Sequence, residues 1–134
     1  MSKFEMGWNF CGSAVVTLCC LAFGGWDIWL KVLLAVIVAD FFTGVMSAWV
    51  QGTLSSRVGA KGICKKVMIL AVVALANWTD QLLGGTGAFR AMAIGFYAAN
   101  DALSIIENAA MIGVPVPQKL VDKLEQLKEE RNGE

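Results

Sequence analysis

Three acids, Asp40, Asp101 and Glu107, stand in otherwise apolar stretches. An ionisable group in such a setting passes a proton, lines a watery path, or hydrogen-bonds a neighbouring helix. The residues around them are polar and uncharged. From Arg90 to Pro117 the chain reads RAMAIGFYAANDALSIIENAAMIGVPVP. At about 100° per residue, Tyr97, Asn100, Asp101, Ser104, Glu107 and Asn108 share an arc of roughly 120°. Ala98, Ala99, Ala102, Leu103, Ile105, Ile106, Ala109 and Ala110 fill the opposite side. Asp40 repeats the plan, because Thr43, Gly44, Ser47 and Gln51 follow it on the same helical face. Both faces suit a pore lining or proton path, and both equally suit polar contacts that hold helices together.

Bond-breaking chemistry has little to work with. There is no histidine, the commonest general base and metal ligand. Ser104 and Cys64 lack a base partner. Cys11, Cys19, Cys20 and Cys64 form no C-x-x-C pair, which argues against a zinc site or disulfide framework. Gly84-Gly85-Thr86-Gly87 follows no strand and reads as a turn rather than a phosphate cradle. We expect no enzyme, no cofactor and no metal. A net charge of zero gives no reason to expect nucleic acid.

The elements that position these faces read as membrane helices. Apolar residues make up 57% of the 134, above the roughly 45–50% of soluble chains. From Ile28 to Val50 the only charges are Lys31 and Asp40, and from Val67 to Phe89 the only charge is Asp80. Apolar runs of roughly 18 residues or more read as spans, and they leave too few charged faces for a soluble bundle. We expect an all-α integral membrane protein with about four transmembrane helices, over 6–23, 28–50, 63–83 and 88–112. These make up a membrane domain over 1–117, followed by a polar cytoplasmic tail over 118–134 that holds a short helix.

The first segment also admits an interfacial helix, which would leave three spans, or a cleaved signal with Ala22-Phe23-Gly24 as its small-x-small site. Trp26 and Trp29 flank Asp27 as an aromatic belt would. The run from Gln51 to Lys66 is rich in glycine and hydroxyl residues and reads as a loop. Its Arg57, Lys61, Lys65 and Lys66 have no acidic counterweight, so it is topology-determining and cytoplasmic. Pro115 and Pro117 end the fourth segment. With loop and tail both inside, an even number of spans puts both termini in the cytoplasm.

Charge partners follow from depth. Arg90 pairs with Asp80 near the outer surface, and Glu107 with Lys65 or Lys66 near the inner one. Asp40 and Asp101 fall near mid-depth with no cation at their level. Four helices leave little room for water, so a hydrated face is expected from self-association.

Three motifs then resemble a known family. They are Asp40-Phe41-Phe42-Thr43-Gly44, the run from Gly52-Thr53-Leu54-Ser55-Ser56 to Lys61-Gly62-Ile63-Cys64-Lys65-Lys66, and Leu103-Ser104-Ile105-Ile106-Glu107-Asn108-Ala109 to Gly113-Val114-Pro115-Val116-Pro117. In order and spacing, over roughly 28–128, they resemble the toxin-secretion/phage-lysis holin family (bacteriophage holin family 4). Asp40, Thr43, Gly44, Gly52, Gly62, Lys66, Ser104, Glu107, Asn108, Gly113 and Pro117 match its pattern, and the resemblance assigns none of them a catalytic or ligand role. It implies a small phage-derived protein of the bacterial cytoplasmic membrane. Such a protein forms homo-oligomers in the lipid bilayer and opens lesions for an endolysin or a toxin, leading to host lysis, with an antiholin as a further partner. Two other classes stay open: a small proton-coupled multidrug-type exporter, and an antiholin or regulatory membrane subunit.

Overall fold

A computed structural model describes residues 2–131; Met1 and the last three residues of the 118–134 tail lie outside the described residues. The elements are α1 (Lys3–Phe23), α2 (Ile28–Gln51), α3 (Ser56–Leu82), α4 (Ala88–Ile112) and α5 (Gln118–Arg131). No strand occurs among the described residues.

Local chemistry sets the boundaries. Ser2 Oγ accepts from the Glu5 backbone N–H at 3.2 Å, and Glu5 Oε2 accepts from the Ser2 N–H at 2.9 Å. This reciprocal cap starts α1 three residues before the expected Met6. Asp27 caps α2 by accepting from Leu30 N–H at 3.0 Å. Gly52, at φ 72°, ends α2 in a left-handed turn that a side chain would strain. Ser55 caps α3, accepting from Val58 N–H at 3.2 Å.

That last cap corrects the expected basic loop. Arg57, Lys61, Lys65 and Lys66 lie on the first three turns of α3, and the connection shrinks to the few residues between Gln51 and Ser56. Lysine, arginine and alanine are good helix formers, and they outweigh the cost of Gly59 and Gly62 once the first turn is capped. The third segment therefore starts at Ser56 rather than at 63. The fourth has the expected bounds, and α5 begins directly after Pro117.

Asp27 meets Arg90 near the starts of α2 and α4, and Ser47 meets Met111 near their ends. These two helices therefore run parallel, with α3 antiparallel beside them. Leu33 and Ile37 of α2, Val73 of α3 and Ile94 of α4 form the buried centre. Phe23, Ile69, Leu70, Tyr97 and Ala98 pack around it.

Helix α1 buries none of its residues. It is held at its C-terminal end, where Asn77 Nδ2 donates to the carbonyls of Ala22 (3.1 Å) and Leu21 (3.4 Å). Trp78 Nε1 also donates to Leu21 at 3.2 Å. These donors satisfy carbonyls that the last turn of a helix leaves open.

Large apolar side chains cover the outside, among them Phe10, Leu21, Phe42, Trp49, Leu75 and Leu82. An apolar surface this extensive fits lipid contact and not water. Helices α1 and α2 are each long and apolar enough to cross a membrane. Helices α3 and α4 are long enough, with 27 and 25 residues, but are not apolar enough to qualify by composition alone. The C-terminal helix does not project away. It folds back along α4, with Leu124 and Leu127 beside Trp29, Val32, Ala98 and Ala102 across a cleft of about 310 Å³.

Candidate functional site

Lys66 joins the two mid-depth acids. Its Nζ donates to Asp101 Oδ2 at 2.9 Å and to Asp40 Oδ2. Asp40 comes from α2, Lys66 from α3 and Asp101 from α4, so one ammonium ties three helices. Asp101 is 1% exposed and Asp40 8%. Asn108 Nδ2 donates to Thr43 Oγ1 at 3.0 Å and to Asp40 Oδ1 at 3.4 Å. Thr43 Oγ1 donates in turn to the Asp40 carbonyl at 3.1 Å. Beside the triad is a cleft of about 200 Å³, whose lining includes Asp40, Gly44, Lys65, Lys66, Ser104 and Asn108.

Two expected pairings are corrected here. The mid-depth acids do have a cation, and Lys66 serves them rather than Glu107. The reason is register. Asp40 lies 11 residues before the end of α2, and Lys66 lies 10 residues after the start of α3. Once α3 begins at Ser56, the two share a level across the hairpin. Reading 51–66 as a loop hid this, and the serine cap at Ser55 was the signal that could have revealed it.

The polar arc of α4 is divided. Asp101 and Asn108 turn inward to α2 and α3. Asn100, Ser104 and Glu107 line a cleft of about 460 Å³ whose far wall is Glu125, Lys128 and Glu129 of α5. Ser104 lines both clefts. Space for water therefore exists within one chain at this cleft. Ser47 lies further along α2, where Gln51 Nε2 donates to its Oγ at 2.8 Å and Met111 Sδ is 3.4 Å from that oxygen. Arg57, Lys61 and Lys65 are exposed, and none makes a salt bridge among the described residues.

A second charged cluster closes the opposite end of the bundle. Arg90 grips Asp27 with two nitrogens, at 2.8 and 3.0 Å, and its Nε donates to the Phe23 carbonyl. The Arg90 hydrogen bonds hold the Asp27 carboxyl down to about 2, against the opposing effect of burial, with help from the Leu30 N–H. Asp80 does not meet the Arg90 guanidinium, as depth alone suggested. It accepts from the backbone N–H groups of Phe89 (2.9 Å) and Arg90 (2.7 Å) and so caps α4, which lacks a side-chain cap of its own. Gly24 sits against this cluster at φ 81°, where a Cβ would collide with Asn77 Oδ1 and crowd Arg90.

Residues 17–129 match the model of a bacteriophage holin family. An uncharacterized 14.9 kDa protein from the nagH 3' region of Clostridium perfringens is 45% identical over 112 residues, which is 83% of this chain and 85% of that protein. An uncharacterized protein of Listeria monocytogenes is 44% identical over 98 residues, covering 73% and 70%. The uncharacterized protein YqxH of Bacillus subtilis is 38% identical over 109 residues, covering 81% and 77%. No solved structure matches.

Proposed function

The chain belongs to the bacteriophage holin family, and on that premise we propose that it is a holin. In this reading it self-associates in the bacterial cytoplasmic membrane and permeabilises it, so that an endolysin or a toxin crosses. The family match over residues 17–129 carries this reading. The family is one of non-enzymatic membrane proteins, and the apolar exterior of α1 and α2 is in keeping with that.

The four helices α1 to α4 each cross the bilayer in this proposal. Arg57, Lys61 and Lys65 mark the cytoplasmic end, with the amino terminus and the start of α5 on the same side. Helices α3 and α4 can cross because Lys66 and Asp101 are paired inside the protein rather than turned to lipid, while the unpaired Arg57, Lys61 and Lys65 lie at the cytoplasmic end of α3. Asp40, Thr43, Asp101 and Asn108 act as interhelix contacts, and Ser47 tightens the cytoplasmic end. Asn100, Ser104 and Glu107 are the part of the polar face that meets water. A charged side chain at the bilayer centre costs about 2.5–3.5 kcal/mol on insertion scales, so α5 keeps its place beside α4 only where water reaches it. The α4–α5 cleft is the surface that self-association would widen.

Inducible expression in a bacterium that also makes a cytoplasmic endolysin tests the reading. Membrane potential and optical density are followed together. Abrupt depolarisation followed by endolysin-dependent lysis is expected. Normal growth with an intact potential would overturn it.

A further inference from the structure

The two charged clusters have the same composition and different surroundings. Each holds two carboxylates and one cation, so each carries one negative charge in excess. At the Asp27–Arg90–Asp80 cluster the excess is absorbed locally. Asp80 takes two backbone N–H groups at the start of α4, where the helix dipole favours an anion. The Asp27 side chain is 42% exposed and meets water.

The Asp40–Lys66–Asp101 triad has neither relief. It lies more than ten residues from the start and from the end of both α2 and α4, with side chains 10%, 16% and 2% exposed. Amide help is slight: Asn108 reaches Asp40 Oδ1 at 3.4 Å, and the neighbouring Asn100 side chain hydrogen-bonds Asp101. A charge left unbalanced in such a place is costly, and protein groups there neutralise instead.

The other charged groups facing the triad do not supply the balance. On α2 the one other charge, Lys31, lies nine residues before Asp40 and sits over the Trp26 ring. On α3, Lys65 lines the adjoining cleft but is exposed and bonds neither carboxylate. On α4, Glu107 turns to the other cleft, where α5 presents Glu125, Lys128 and Glu129. Helix α1 places no charged residue between Glu5 and its end.

We propose that the Asp40–Lys66–Asp101 triad is a proton-binding site that holds one exchangeable proton between its two carboxyls. Two features select a proton over a metal ion. Lys66 already occupies one oxygen of each carboxylate, and Asn108 reaches a third. Hard cations need about six oxygen ligands, and an ammonium between the acids repels them. The cleft of about 200 Å³, with Ser104, Asn108 and Lys65 in its wall, is the route by which water delivers the proton. The proton belongs to the coupled pair rather than to either aspartate. With it, the triad is neutral and keeps α3 against α2 and α4. Without it, the triad is an anion at mid-depth that draws water between those helices. Alkaline conditions therefore loosen the three-helix unit, and acid conditions tighten it.

The inference rests on the membrane placement proposed above but not on lysis. It is tested by infrared spectroscopy of the full chain in vesicles of phosphatidylcholine and phosphatidylglycerol. At neutral pH, one protonated-carboxyl band is expected. Asp40→Asn and Asp101→Asn should each remove it, because either leaves a neutral acid–lysine pair. Lys66→Met should double it. Labelling the wild-type aspartates with 13C should shift the band, which tests the site even if a variant misfolds. A wild-type chain with no protonated aspartate, or a band that survives both asparagine substitutions, would overturn the proposal. A band that behaves as expected in a chain that never depolarises cells would leave the proton site standing and remove the holin reading.

Discussion

The mid-depth triad and the Asp27–Arg90–Asp80 clasp are built from the same parts, and they do different work. The clasp joins five elements: the end of α1, the turn after it, the start of α2, the end of α3 and the start of α4. Its carboxylates are served by a bidentate guanidinium and by backbone N–H groups. The triad joins three helix interiors through a single ammonium. Depth decides how a charge is balanced. Near an end, water and open helix termini share the task. In the middle the task falls to other side chains and, on the proposal above, to a bound proton.

The contrast predicts an order of sensitivity. Lys66→Met should be the most damaging change, because it strands two buried carboxyls. Breaking a buried pair costs about 3–5 kcal/mol, read as lost resistance to unfolding in detergent by circular dichroism. A loss no larger than that of Arg90→Met would erase the distinction between the clusters. Asp80→Ala comes next. It leaves two part-buried N–H groups at the start of α4 without their acceptor, at about 1 kcal/mol. Its signature is faster hydrogen exchange confined to Phe89 and Arg90 and their neighbours.

Arg90→Met is the mildest for stability, at most about 1 kcal/mol, since its Asp27 partner is part-exposed and screened. It still has a pH signature. The folded Asp27 carboxyl sits at about 2, below its ordinary 3.8. A group depressed in this way contributes stability that is complete above the ordinary value and is lost as pH falls through the folded one. Wild-type stability should therefore decline between about pH 4 and pH 2, and the Arg90→Met chain should lose that part of the decline. An unchanged acid limb would remove Arg90 as the cause.

Much of this fold is legible in the sequence where punctuation is local. The turn at Gly84–Gly87 and the prolines at 115 and 117 frame α4, whose helix runs Ala88–Ile112. Pro117 places α5 in the same way. The start of α3 is harder, because Gly59, Gly62 and the hydroxyl residues imitate a loop while one serine cap decides otherwise. That shift of seven residues is what conceals Lys66 as the shared partner. The polar face of α4 is visible as a face, but its division is not. Whether Asn100 meets α5 and Asp101 meets α3 depends on where two other helices lie, and periodicity along one helix carries no such information. The fold-back of α5 is hidden for the same reason, since three leucines at helical spacing do not name the surface they will cover.

The triad also imposes a schedule on synthesis. Asp40 leaves the ribosome 26 residues before Lys66 and 61 before Asp101. Helix α2 is apolar enough to enter a bilayer by itself, and it would do so with its carboxyl still waiting. Helix α3 brings the answering charge and α4 brings one acid more. In the proposed four-span arrangement neither is comfortable in lipid before the other arrives, so α3 and α4 would be inserted as a pair, against a helix already in place.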